Sequence, residues 1–255
     1  MKYGIRDGML GAPLETMFAV AKEIGFDGVE YCTNRDYESS LLWEAGGPER
    51  LKGLADADGV AVSSLSPGIF SSMHPALPEA EKRAEGQKAL THIIEVCPKL
   101  DTHDILVPMF PRDFKEWPDE TWTLLVEGFK PLAETAEKHG VVLDLETTFD
   151  ADSLQMIIDR IGSDCVKVYY DTANQLNRGY DIVAELRQLG DLVGMIHAKD
   201  TDRQNLGGGK VDFDGVDAAI RDIGYDGYIV LETPTGDDPN AANAQNLAFI
   251  KKLGK

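Results

Sequence analysis

Nothing in this 255-residue chain is apolar for long enough to cross a bilayer; no run approaches the roughly 18 uninterrupted apolar residues that a span needs. Positive charge is scarce. Lys and Arg number 25 against 44 Asp and Glu, a formal net charge of −19, which is the wrong sign for a nucleic-acid binder because phosphate affinity comes largely from Lys and Arg. Cysteine is scarce as well: Cys32, Cys97 and Cys165 are scattered and form no CxxC pair. That argues against a disulfide framework or a structural zinc site and for free thiols in a reducing compartment. No G-x-G-x-x-G follows the first strand-like stretch, which counts against a dinucleotide fold. The opening MKYGIRDGML has no apolar h-region, so no secretory leader is expected and the cytoplasm is the default. No linker rich in Pro, Gly or Ser divides the chain, and one domain over 1–255 is expected.

What is present is alternation. Hydrophobic residues make up 43 %, enough for a sizeable core. Short apolar runs at 3–6, 28–32, 60–65, 105–110, 141–146, 166–171, 192–199 and 228–232 read as strands. Amphipathic stretches near 13–24, 48–57, 79–97, 119–138, 151–161, 181–189, 213–223 and 240–253 read as helices. Eight strands each followed by a helix, in a chain of this length, predict an α/β fold: a single (β/α)8 TIM barrel. IGFDGVE at 24–30 is echoed by IGYDGYIVLE at 223–232, with Gly25 and Gly224 suited to helix C-caps. Such an echo fits repeated βα units.

The late strands end in polar residues. Side chains alternate along a strand, so Val142, Asp144 and Glu146 share one face, as do Lys167, Tyr169 and Asp171. Val193, Met195, His197 and Lys199 form another such set, opposite Gly194, Ile196 and Ala198. Tyr228, Val230 and Glu232 form a fourth. In a barrel these faces point into the lumen, and the C-terminal mouth is where active sites sit. Glu146, Asp171, His197 and Glu232 would therefore converge. Three carboxylates in a low-dielectric site repel one another, and a divalent cation resolves the conflict. Oxygen-rich ligands with one nitrogen suit Mn2+, Mg2+ or Co2+, whereas zinc usually takes more nitrogen or sulfur.

GFDGVE (25–30), LDLETT (143–148), YYDTAN (169–174), MIHAKD (195–200) and YDGYIVLET (225–233) follow one another across most of the chain. With these stretches the chain resembles the xylose-isomerase-like TIM barrel superfamily, in particular its sugar (phosphate) isomerase/epimerase group, of ketose 3-epimerase type. The resemblance implies one divalent metal held by Glu146, Asp171, His197 and Glu232, with Mn2+ foremost and Mg2+, Co2+ or Zn2+ as alternatives. It implies that the glutamates Glu146 and Glu232 also move the proton. Arg203, six residues beyond the histidine, matches a family arginine for substrate, ahead of the glycine-rich GGGKVDF (207–213). Glu30 matches a glutamate at the end of strand two, placed to hold a substrate hydroxyl or to cap the barrel rim. Asn174 stands where many epimerases carry histidine, and it can donate a hydrogen bond but cannot titrate near neutrality. Lys199 could polarise a carbonyl or bind a hydroxyl; the HAKD ending also resembles the inosose dehydratase branch.

The implied chemistry is proton abstraction alpha to a carbonyl of a ketose or keto-sugar, through an enediolate. Return of the proton to the opposite face is epimerisation, return to the neighbouring carbon is aldose–ketose isomerisation, and loss of a β-hydroxyl is dehydration. The expected partner is a small-molecule sugar, with no nucleic acid and no membrane; the resemblance allows a dimer or a tetramer. Trp43, Phe70 and Met109 are candidates to wall the pocket, while His74, His92, His103 and His139 have no evident role. An abasic-site endonuclease of the same superfamily would need further histidines where this chain has VSSLSP, LVPMF and Asn174. A sugar-binding barrel without chemistry is the remaining rival.

Overall fold

The computed structural model describes residues 1–33, 36–111 and 113–253. Eight short runs of mainly β-branched and large apolar residues form parallel strands: β1 Lys2–Arg6, β2 Gly28–Thr33, β3 Ala61–Pro67, β4 Asp104–Met109, β5 Val142–Thr147, β6 Val166–Asp171, β7 Val193–Ala198 and β8 Tyr228–Leu231. They pair in chain order, and β8 returns to β1 through Gly4↔Val230 and Ile5↔Leu231, closing the barrel. The helices are α1 Met17–Ile24, α2 Gly47–Asp58, α3 Ala80–Val96, α4 Asp119–His139, α5 Ala151–Ile161, α6 Thr172–Asn177, α7 Ile182–Leu189, α8 Phe213–Asp222 and α9 Pro239–Leu253. This is the (β/α)8 architecture that the alternation predicts.

Strand and helix edges move by a few residues from expectation, as where α1 starts at Met17 after a turn at Pro13. One element is new. The chain after β6 was expected to reach its helix at 181, but α6 intervenes, because the Asp171 carboxylate accepts from the Asn174 N–H at 2.7 Å and caps a short helix at once. Strict alternation also fails once. A register shift between Val168 and Tyr169 opposite β7 turns Gly194 inward, against expectation. A Cβ on Gly194 would overlap the Asp144 carboxylate, so only glycine fits there.

Most of the core lies between the strands and the helix ring, built from residues such as Ile5, Val29, Leu65, Val107, Leu143 and Ile196. The lumen has its own small apolar layer: Leu106, Tyr169, Met195 and Val230, all essentially inaccessible. It is the floor on which the polar mouth rests, and truncating Met195 to Ala would cost about 2–5 kcal/mol. Among the described residues no helix is long and apolar enough to cross a membrane.

Candidate active site

Four neighbouring strands deliver one metal-capable side chain each at their C-terminal ends: Glu146 from β5, Asp171 from β6, His197 from β7 and Glu232 just beyond β8. One ligand atom from each lies within 4.8 Å of all the others. His197 Nδ1 is the hub, 3.3 Å from Glu146 Oε1, 3.4 Å from Glu232 Oε2 and 3.9 Å from Asp171 Oδ2. Asp171 divides its oxygens. Oδ1 caps α6, while Oδ2 is buried and has no hydrogen-bond partner among the described residues. An orphaned carboxylate oxygen beside two more carboxylates and an imidazole nitrogen fits a divalent cation, so these four residues could hold one.

The electrostatics show how much opposing charge is compressed here. Burial raises Asp171, and Glu146 beside it adds to the effect against the pull of Lys199 and His197, so its carboxyl sits at about 6. Burial alone would lower His197, but Glu30 and Glu146 override it and hold the imidazole up at about 10. Burial would raise Glu232, yet His197, Arg6 and Lys199 keep it below the usual carboxylate range. A cation entering the cluster would displace the imidazole proton.

Behind the histidine stands Glu30. It is fully buried, and its Oε1 lies 3.3 Å from His197 Nε2. Its Oε2 accepts from the Tyr169 hydroxyl at 2.8 Å and the Ser64 hydroxyl at 2.9 Å. Burial works against its charge, but His197 and Arg6 pull its carboxyl down to about 2. A proton on Nε2 suits this carboxylate, which turns the Nδ1 lone pair toward the mouth. Glu30 is therefore neither at the rim nor on the cavity wall, because β2 runs three residues past it to Thr33.

The mouth opens into a cavity of about 500 Å³ lined by Arg6, Ser66, Phe110, Glu146, Asn174, Lys199 and Glu232, among others. Asn174 donates through Nδ2 to Glu146 Oε1 at 3.5 Å. Lys199 lies 3.1 Å from Glu232 and 3.6 Å from Asp171. Arg203 is set apart: it lines an adjoining cavity of about 370 Å³ that shares Asn177, Lys199 and Glu232 with the first. Its loop is held by Asp200, whose buried carboxylate accepts from the backbone N–H groups of Thr201, Gly207, Gly209 and Val211. The glycine-rich stretch thus wraps an internal anchor. Of the expected wall residues, Phe70 and Met109 are core, and Trp43 packs on His92 and Tyr37 elsewhere. The apolar part of the lining comes from Leu106, Pro108 and Phe110, the last 41 % exposed.

Sequence reasoning passed over Arg6. Its guanidinium makes ion pairs of 3.1 Å to both Glu30 and Glu232. Gly4 and Arg6 have the inward parity on β1, so the rule applied to the late strands would have found it in the first.

A closed eight-stranded barrel with acidic and histidine side chains gathered at the ends of its last four strands defines a (β/α)8 barrel with a candidate metal centre at its C-terminal mouth. Residues 18–253 match the family model described as xylose isomerase-like TIM barrel, and the chain belongs to that family. Its relatives include several sugar epimerases and an inosose dehydratase. The D-psicose 3-epimerase of Ruminiclostridium cellulolyticum is 26 % identical over 195 residues, 71 % of this chain and 66 % of that protein. The fructoselysine 3-epimerase of Shigella flexneri is 23 % identical over 237 residues, 88 % of this chain and 86 % of that one. The chain thus spans just under two thirds of the first of these. In structure it superimposes on the D-psicose 3-epimerase of Clostridium cellulolyticum H10, crystallised with D-tagatose, with a TM-score of 0.85, full coverage of both chains and 21 % identity, which shows the shared fold.

Proposed function

We propose that the protein is a divalent-metal-dependent 3-epimerase of a ketose or keto-sugar. The observation that carries this reading is the placement of Glu146 Oε1 and Glu232 Oε2 at 3.3 and 3.4 Å from one imidazole nitrogen, within a single buried cluster. Two carboxylates on separate strands can address a bound sugar carbon from two sides. The kinship with D-psicose and fructoselysine 3-epimerases agrees with this.

Glu146, Asp171, His197 and Glu232 would hold the metal, with Mn2+ the first choice for three oxygens and one nitrogen. When bound, such an ion supplies Lewis-acid stabilisation of the negative charge that develops on the substrate oxygens. One glutamate takes the proton alpha to the carbonyl, and the other returns a proton to the opposite face of the enediolate. Asn174 steadies Glu146 and presents its amide to a hydroxyl. Arg203 and Lys199 bind sugar oxygens from the adjoining cavity, and Phe110 covers an apolar face of the sugar. The free cysteines Cys32, Cys97 and Cys165 support placing this chemistry in a reducing cytoplasm.

A second reading has one observation in its favour. Lys199 sits 3.1 Å from Glu232 and lines both cavities, so its ammonium could protonate a departing β-hydroxyl, which would make the reaction a dehydration. Proton NMR of D-psicose, D-fructose, D-tagatose and an inosose in D2O, with Mn2+ present, separates the two. Deuterium at C3 with appearance of the epimer is the expected result. Loss of water would favour the second reading, and no exchange with any of these sugars would count against both.

A further inference from the structure

We propose that Arg6 is a positioning residue: one guanidinium fixes Glu232, which exchanges the substrate proton, and at the same time fixes Glu30, which steadies His197. The inference rests on the epimerase reading above, and it assigns a role to a residue on a strand that supplies none of the four candidate metal ligands.

The geometry is that of a fork. Arg6 Nε lies 3.1 Å from Glu30 Oε1, Nη1 lies 3.1 Å from Glu232 Oε1, and Nη2 donates to Cys32 Sγ at 3.3 Å. All three nitrogens therefore hold protein atoms. β1 pairs with β2 on one side and β8 on the other, and Arg6 is the register partner of Glu30. A side chain at the end of β1 can thus reach a carboxylate on either neighbour. The tie divides the Glu232 carboxylate: Oε1 is held by Arg6 and by Lys199 at 3.1 Å, which leaves Oε2 facing His197 Nδ1 at 3.4 Å. Among the described residues no such clamp is seen on Glu146, which meets the Asn174 amide at 3.5 Å and the histidine at 3.3 Å. Among the described residues the two proton-moving glutamates are therefore held unequally: Glu232 by a guanidinium and an ammonium, Glu146 by a long amide contact and the histidine.

A lysine cannot reproduce this, because a compact ammonium on a flexible stem lacks the planar fork that meets two carboxylates at once. Arg6 also borders the cavity, with its side chain 25 % exposed, so removing it leaves a hole that a small cation can enter from the mouth.

The experiment uses the metal-loaded enzyme and the variants Arg6→Met, Arg6→Lys and Arg6→Ala. Arg6→Met is expected to lower kcat for deuterium exchange about 100-fold while KM changes little, on the scale of losing one preorganised charged contact. Arg6→Lys should stay close to Arg6→Met. Guanidinium added to Arg6→Ala should restore exchange in a saturable manner, by roughly tenfold, where ammonium does not. A readout without turnover accompanies it. Arg6→Met leaves Glu30 buried without its guanidinium, so melting temperature should fall, and adding Glu30→Gln in that background should recover part of the loss. An unchanged kcat in Arg6→Met, a KM-only effect, or no rescue by guanidinium overturns the catalytic tie. Additive melting shifts overturn the tie to Glu30. A wild-type enzyme that exchanges no ketose proton refutes the epimerase reading instead, and the melting cycle still decides whether Arg6 couples to Glu30.

Discussion

The two ends of the barrel lumen both bury carboxylates, and they treat them in opposite ways. At the C-terminal mouth, Glu30 and Glu232 lie against Arg6, Lys199 and His197, and both are held below the usual carboxylate range. Toward the N-terminal end, Asp144 is fully buried, and neither of its oxygens has a hydrogen-bond partner among the described residues. Burial and the neighbouring Asp104 push Asp144 far up. Burial and mutual repulsion thus favour the neutral form in the lower pair, whereas neighbouring cations favour the charged form of Glu30 and Glu232 at the mouth. Burial alone therefore does not mark a working carboxylate. What marks the mouth is charge maintained against burial on Glu30 and Glu232, with one oxygen, Asp171 Oδ2, making no hydrogen bond among the described residues.

The largest effect that would sharpen this contrast belongs to the mouth. Glu146→Gln and Glu232→Gln should each lower solvent-proton exchange into a ketose by about 10²–10⁴-fold, read by deuterium NMR, whereas Asp144→Asn should leave it within a few-fold. Next comes the support of the histidine. Glu30→Gln should weaken Mn2+ binding by about 10–100-fold in a calorimetric titration, because the imidazole loses the carboxylate on Nε2.

A smaller effect is expected from pH in chelator-treated protein. Glu30 has a folded value of about 2 against an ordinary 4.5. Its contribution is present above the ordinary carboxylate range and is lost as pH falls through about 2. Acid melting curves should show that loss, and Glu30→Gln should reduce it. Asp144 has the opposite sign. Its raised carboxyl contributes fully below the ordinary value of 3.8 and progressively less as pH rises through its folded value. Asp144→Asn should therefore raise the melting temperature on the alkaline side, by about 2–4 °C for each kcal/mol recovered. If Asp144→Asn instead abolished exchange, the two ends would not be separable. The smallest effect is at Trp43, which packs on Tyr37 and His92 away from the cavity; Trp43→Phe should leave exchange unchanged.

Much of the mouth was legible because strand parity and residue type act locally. Glu146, Asp171, His197 and Glu232 follow from the ends of four strands, and the structure brings them together. What parity could not show lies between strands. Glu30 was expected from the resemblance alone, as a glutamate ending strand two, and only the closed barrel reveals that β2 continues to Thr33 and leaves it behind His197. Arg6 is one of two charged residues in a five-residue strand, and its meaning depends on β8 returning beside β1. Gly194 defeats alternation through a register shift that no periodicity announces. The GGGKVDF loop was readable as a loop, but its anchor on Asp200 is a tertiary fact.

The central claim is that the mouth cluster is a cation site that serves proton transfer. The most direct test counts Mn2+ per chain after dialysis, in the wild type and in Asp171→Asn and His197→Ala, with exchange measured on the same samples. The account predicts one ion in the wild type, none retained by either variant, and exchange that stops when the ion is chelated and returns with it. Mn2+ retained at full stoichiometry by both variants, or undiminished exchange in chelator, would contradict it.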